Sequence, residues 1–288
     1  MFVDLHSEYL TVKLNHQGAE IVSIKNTQQH EYIWQANPEI WGRHAPVLFP
    51  IVGKLFNNHY SVNNCNYTLP QHGFARDSTF VLIHSNNEEC LFQLNHSDKS
   101  LQSFPFFFEL NINYKLNKNK LQITYTVVNK DTQTIYFSIG AHPGFNILDK
   151  NAKNLQNHYL EFEKNELELS ELKDGLLANN KRILQLDNHK LWLNTNLFDN
   201  DALVLENNQI NKISFGSTES DRKIIIECER WPYFGIWSKK NNDQFICLEP
   251  WYGITSSVNR DSDFTNKKGI IKLEINSFFE CVHSISIL

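Results

Sequence analysis

Apolar and polar residues in this chain come in short strand-like runs, with no long helical stripe. TVKLN (11–15), LQITYTVV (121–128), KISFGS (212–217), KIIIECE (223–229) and CVHSISIL (281–288) each read as a strand of a few residues. Between the runs lie turn-formers: NHQGAE, LNKNK, NKDTQ, ENNQIN and KKNNDQ. The stretch NINYKLNKNKLQITYTVV (111–128) predicts a hairpin with the Asn/Lys cluster at its tip. Even spacing of this kind favours a sandwich or barrel over an α/β fold. Helical pattern is confined to ELELSELKDGLL (166–177), which supports two turns, while LQNHYLEFEKNEL (155–167) reads either way. SFPFFFEL (103–110) reads as a buried strand. No linker, repeat or low-complexity block divides the chain, so the expectation is one all-β domain over residues 1–288, built from a large antiparallel sandwich.

Composition removes several function classes. Net charge is −5, and Lys and Arg are scattered without a basic run that could track a phosphate backbone, so no nucleic-acid partner is expected. No stretch approaches the roughly 18 apolar residues that cross a bilayer, and MFVDLHSEYLTVKL lacks the pattern of a signal peptide. The five cysteines, Cys65, Cys90, Cys228, Cys247 and Cys281, are dispersed and form no CxxC pair. They read as packing residues of a protein in a reducing compartment, hence cytoplasmic. No HxH, HExxH or calcium-type loop is present, so no metal is expected. GxSxG, GxGxxG and Walker-type patterns are absent as well.

Four segments interrupt the alternation with Gly or Pro beside titratable side chains: WGRHAPVLFPIVGKL (41–55), LPQHGFARDSTF (69–80), IGAHPGFNI (139–147) and ICLEPWYGITSS (246–257). Such breaks set functional groups at strand ends or bulges. His142 precedes Pro143, which biases it to extended backbone, with Gly140 and Gly144 leaving space and Phe145 offering an apolar wall. An imidazole titrates near 6.5 and can exchange protons at neutral pH; its bland reading is a strand-end His bonded to a carbonyl. Glu249 follows the apolar run QFICL, and Pro250 marks the expected end of that strand. Between Trp251 and Tyr252 such a carboxyl becomes partly desolvated and gains basicity; alternatively it pairs with a cation on the rim. His72 and Arg76 flank a Gly-Phe turn, where Arg76 either meets a substrate hydroxyl or pairs with Asp77. Arg43, His44 and Lys54 place cations beside aromatics, which suits polyhydroxylated or phosphorylated ligands. Trp237, Trp251 and Tyr252 are candidates to line a cleft.

Taken in order, with GAEIVSI (18–24) before them and CLEPWYG (247–253) at the end, these segments resemble the aldose 1-epimerase (galactose mutarotase) family, in particular its LacX-like branch with LFPIVG-type and HGFAR-type segments. The resemblance runs from about residue 15 to about residue 285. It implies a β-supersandwich with an open sugar cleft and an isomerase of carbohydrate metabolism that needs no cofactor. The α and β anomers of a hexose or hexose phosphate would be interconverted by acid–base ring opening. It assigns His142 as general acid, Glu249 as general base, and His72 as a ligand near the sugar ring oxygen. Asp201, in LFDNDALVL, would hold sugar hydroxyls. Lys54 stands where the family carries an arginine, which keeps the charge and loses the bidentate fork. Arg43, Arg76, Phe145 and Trp251 complete the expected binding set. The expected partner is a small sugar, with the chain a monomer or homodimer. The alternative is a non-catalytic carbohydrate-binding protein on the same fold; a glycosidase would need a second carboxylate, and none stands out.

Overall fold

The computed structural model describes residues 1–148, 155–259 and 263–288. Within them, two large antiparallel sheets face each other. The nine-stranded sheet runs, in spatial order, through Lys190–Trp192, His158–Glu161, Lys212–Ser217, Ser220–Glu227, Phe278–Ile287, Lys120–Asn129, Phe108–Asn117, Glu89–Asn95 and Val81–Ser85. The eight-stranded sheet runs through Leu176–Gln185, Glu166–Lys173, Leu203–Leu205, Tyr233–Trp237, Phe245–Tyr252, Ile139–Ala141 and Val47–Leu48, with Gly144–Asn146 also paired to Phe245–Tyr252. A smaller sheet of Phe2–His6, Leu10–Asn15 and Glu20–Asn26 joins the same core.

Alternation explains how the layers meet. Phe108–Asn117 and Lys120–Asn129 bury every second residue, with Ile112, Tyr114, Ile123 and Tyr125 pointing inward. Their partners across the core include Ile246, Leu248, Ile236 and Phe145 from the eight-stranded sheet. The hairpin predicted at 111–128 is present, turning at Lys118 with a positive φ. Phe104, Phe106 and Phe108 are fully buried in SFPFFFEL, as the apolar run predicts.

The helical expectation for 166–177 is overturned: Glu166–Lys173 and Leu176–Gln185 form a hairpin closed by Asp174 and Gly175, both at positive φ. Asp-Gly is a strong hairpin-turn dipeptide, and it outweighs the helix-forming Glu, Leu and Lys around it. The open stretch 155–167 holds the short strand His158–Glu161. Pro250 does not end its strand either. Phe245–Tyr252 continues through it, with Pro250 opposite Phe234. The Leu248 amide donates to Pro143 on the neighbouring side. By the two-residue period Pro250 faces that side too, at the break between Ile139–Ala141 and Gly144–Asn146. A missing N–H is tolerated at such a gap.

The FPIVG and HGF segments interlock. Phe74 and Ala75 donate to the Phe49 carbonyl, while His72 N–H donates to the Gly53 carbonyl at 2.8 Å. Gly73 adopts φ +71, and a Cβ there would lie 2.2 Å from the Phe49 oxygen. Gly73→Ala is therefore expected to cost at least about 1–2 kcal/mol from the left-handed backbone alone, with the collision added. A thermal melt reads the loss directly, and an unchanged midpoint would show that the interlock is not what holds this loop.

Candidate active site

The outer face of the eight-stranded sheet carries a cleft of about 280 Å3, close to the lower limit of roughly 300 Å3 for small-molecule sites. Strand Phe245–Tyr252 supplies its floor. Ile246 and Leu248 turn into the main core, and the alternate residues Phe245, Cys247, Glu249 and Trp251 face outward. Because elements cover both faces, the strand is buried nearly throughout and shows no alternation in sequence.

His142 reaches this floor from the break between two short strands, opposite Glu249. Its Nε2 lies 3.3 Å from Glu249 Oε2. Glu249 is 1% exposed and His142 8% exposed. Burial raises the Glu249 carboxyl well above its ordinary range, opposed by the Trp251 indole N–H and reinforced by Asp201. Burial also pushes His142 down to about 3, with Arg76 and Arg43 acting in the same direction against a backbone contact that raises it. Burial of both groups thus favours one proton on Glu249 and a neutral imidazole, a pair without net charge.

His72 stands edge-on to His142, ring centres 5.5 Å apart. It is held at φ +67, a conformation rare outside glycine and tolerated where tertiary contacts over-determine it. The Gly53 N–H donates to His72 Nδ1 at 3.2 Å. That bond makes Nδ1 an acceptor, so the proton resides on Nε2, and the Gln71 amide 3.2 Å away can accept it only through its oxygen. Protonating Nδ1 would break it, and burial already drives His72 well below its usual value. His72 is therefore a neutral hydrogen-bond donor.

Around the pair stand Trp41, Gln71, Arg76, Asp201, Trp237, Trp251 and Thr255. Asp201 is a cleft residue, on a turn at positive φ, as the resemblance implies. Trp251 lies against the Glu249 side. Arg76 forms a wall: its Nη2 donates to Gln71 O at 2.6 Å, and its buried Nε pairs with Asp77 Oδ2 at 3.7 Å, beyond hydrogen-bond reach. Burial, then Arg43, lowers it to about 10. Arg43 is not a lining residue, and its Nη2 holds Asp77 at 3.0 Å. Lys54 is also outside the lining: its Nζ donates to the Asp174 carbonyl at 3.2 Å and packs on Gly175, at the hairpin tip that closes one side.

Phe145 is not in the cleft. It is fully buried on the core face of the sheet, because Gly144 takes the cleft side and the next residue must point the other way. Tyr252 likewise faces the core, where its ring meets Trp231 and Phe279. The sequence reading passed over Trp41, Gln71 and Thr255 as site residues. Trp41 opens one of the four interrupted segments, and Gln71 and Thr255 lie inside two others, so position in those segments was the available signal.

His142, Cys247 and Glu249 place donor atoms within 4.8 Å of one another. Burial and the adjacent Glu249 raise the Cys247 thiol well above its usual value. A thiol held protonated is a poor metal ligand, since binding needs the thiolate. The arrangement suits transfer of a proton between two poised groups.

A family model described as aldose 1-epimerase matches residues 1–273. The protein named LacX, chromosomal, of Lactococcus lactis subsp. lactis is 32% identical over 283 residues, covering 95% of each chain. Among solved structures, a galactose mutarotase related enzyme from Lactobacillus acidophilus superposes with TM-score 0.96 at 35% identity, covering 100% of this chain and 97% of the other. A galactose mutarotase-like protein from Lactobacillus casei ATCC 334 gives 0.93 at 26%, covering 100% of both.

Proposed function

Since the chain belongs to the aldose 1-epimerase family, we propose that it is an isomerase interconverting the α and β anomers of a hexose or hexose phosphate. The observation that carries this reading is the opposed pair at the cleft floor, His142 Nε2 and Glu249 Oε2 at 3.3 Å. Glu249 takes the proton of the anomeric hydroxyl. The C1–O5 bond breaks, its electron pair goes to the ring oxygen, and His142 protonates that oxygen. Rotation about C1–C2 presents the other carbonyl face, and reclosure returns both protons. The pair holds one proton throughout, on His142 before opening and on Glu249 after it. Sugar hydroxyls in the cleft would stabilise the ionised arrangement that burial by itself disfavours.

His72 Nε2–H serves as donor to the sugar ring region, Asp201 as acceptor, and Trp251 as an apolar wall. Arg76, with Arg43 behind it, offers positive charge at the wall, which supports an anionic sugar as well as a neutral one. The reaction calls for no metal, redox cofactor or nucleotide. The chain would act as one domain, supported by a core cluster that runs from Val3 to Ile287. Five free cysteines support a reducing compartment such as the cytoplasm.

The deciding experiment follows freshly dissolved α-D-glucose, α-D-galactose and glucose 6-phosphate by polarimetry or anomer-resolved NMR. Acceleration over buffer establishes the epimerase and its sugar class. Binding without acceleration on all three would instead favour the non-catalytic carbohydrate binder.

The one-proton pair sets the pH dependence. Rate falls on the acid side when His142 takes a second proton, near pH 3, and on the alkaline side when Glu249 loses the last one, above the ordinary carboxylate range. The expected kcat/KM profile is a bell whose acid limb lies well below 6.5. An acid limb near 6.5 would assign an ordinary, solvated histidine to the rate.

A further inference from the structure

Proton-transfer histidines are ordinarily oriented through a hydrogen bond on the nitrogen facing away from substrate. His142 Nδ1 is buried and has no such partner among the described residues, while Nε2 faces Glu249. Besides Glu249 and a contact with its own backbone, what touches the imidazole is aromatic. The Trp41 indole stacks on it at 5.0 Å and 25°, and Trp237 meets it edge-on at 5.8 Å and 80°.

Trp41 is itself held tightly. Phe245 stacks on it at 5.4 Å and 11°, and Trp34 stacks on Phe245 at 4.7 Å and 27°. Trp34 Nε1 donates to the Trp41 carbonyl at 2.7 Å, and Trp41 N–H donates to Asn37 O at 2.8 Å. Phe245 and Glu249 sit four residues apart on one strand face, and among the described residues no ring contact joins His142 to Phe245. Trp34, Phe245, Trp41 and His142 thus form a chain of four stacked rings that ends on the imidazole. A Cβ on Gly144 would fall 2.8 Å from Trp41 Cζ3, which accounts for the glycine two residues after His142.

We infer that Trp41 is the positioning residue of the acid: stacked on His142 and braced by Phe245, it fixes the imidazole plane so that Nε2 points at the reacting oxygen. The inference rests on the reading of His142 as proton donor. An aromatic face also favours the imidazolium once it forms, so the contact is worth more in the ionised state than in the resting one.

Trp41→Leu and Trp41→Phe test it. In Trp41→Leu, kcat is expected to fall about 10–100-fold, the scale of a roughly 1 Å misplacement, with KM within about twofold. Trp41→Phe keeps a stacking face and is expected to recover most of the rate. In proton NMR the His142 ring signals, identified by their loss in His142→Gln, are shielded by the indole and move downfield in Trp41→Leu. Unmoved His142 signals would overturn the inference. So would a loss confined to KM, or a Trp41→Phe variant as slow as Trp41→Leu with an unchanged melt. If the wild-type protein accelerates no mutarotation, the proposed function fails, while the ring shifts still decide whether Trp41 orients His142.

Discussion

Glu249→Gln is expected to lower kcat by about 10²–10⁴-fold while raising the thermal midpoint at neutral and alkaline pH. The amide keeps the shape and cannot accept the anomeric proton. The stability gain follows from linkage. Burial raises the folded-state carboxyl above its ordinary 4.5, so the folded state resists an ionisation that the unfolded chain undergoes freely. Wild-type stability therefore declines as pH rises from 4.5 through the folded-state value. The variant lacks that decline, and its advantage should shrink toward zero as pH falls to 4.5 and below. Melts at pH 8 and pH 4.5, set beside polarimetry, read both effects. Equal midpoints at pH 8 would mean that the carboxyl is better solvated than its 1% exposure implies, and retained turnover would remove Glu249 from the chemistry.

His142→Gln should lose activity on a similar scale, and the double variant His142→Gln/Glu249→Gln should lose little more than either single one. Two groups that share one proton act as a unit, and such residues are strongly non-additive. If the losses multiply, the two groups act independently and the shared-proton account is wrong. The linkage here has the opposite sign. Burial depresses His142 to about 3 from 6.5, so the unfolded chain binds a proton that the folded one refuses. Stability is then full above 6.5 and declines as pH falls toward 3. His142→Gln removes that contribution, and at pH 5 the variant should melt at a higher temperature relative to wild type than it does at pH 8.

Both effects trace to one structural choice. An acid and a base are set on a floor buried from below by Ile246 and Leu248 and from the side by Trp41, Trp237 and Trp251. Desolvation there destabilises the resting protein and poises the pair for exchange, a trade commonly found at active sites. His72 at positive φ belongs to the same account. Its backbone is strained so that a neutral N–H donor stands beside the pair.

Much of this was legible along the chain. Period-two alternation is a local property, and it announced the hairpin at 111–128, the inward faces of the nine-stranded sheet and the all-β class. The four interrupted segments marked the site because Gly and Pro break a ladder wherever the backbone must approach or turn; His142 and His72 sit in such breaks, while Glu249 sits in a strand that runs on through Pro250. The sequence by itself therefore determined the fold class and offered titratable residues that the cleft brings together. Three decisions belonged to the tertiary structure. Whether Pro250 ends a strand depends on the neighbour it faces, here a gap at His142–Pro143 formed by residues a hundred positions away. Which side of a doubly covered strand each residue takes has no periodic signature, so Phe145 and Tyr252 looked like cleft residues and are core. The resting state of the pair follows from burial and from a 3.3 Å approach across the sheet, and desolvation exists only once the layers have closed around the two groups.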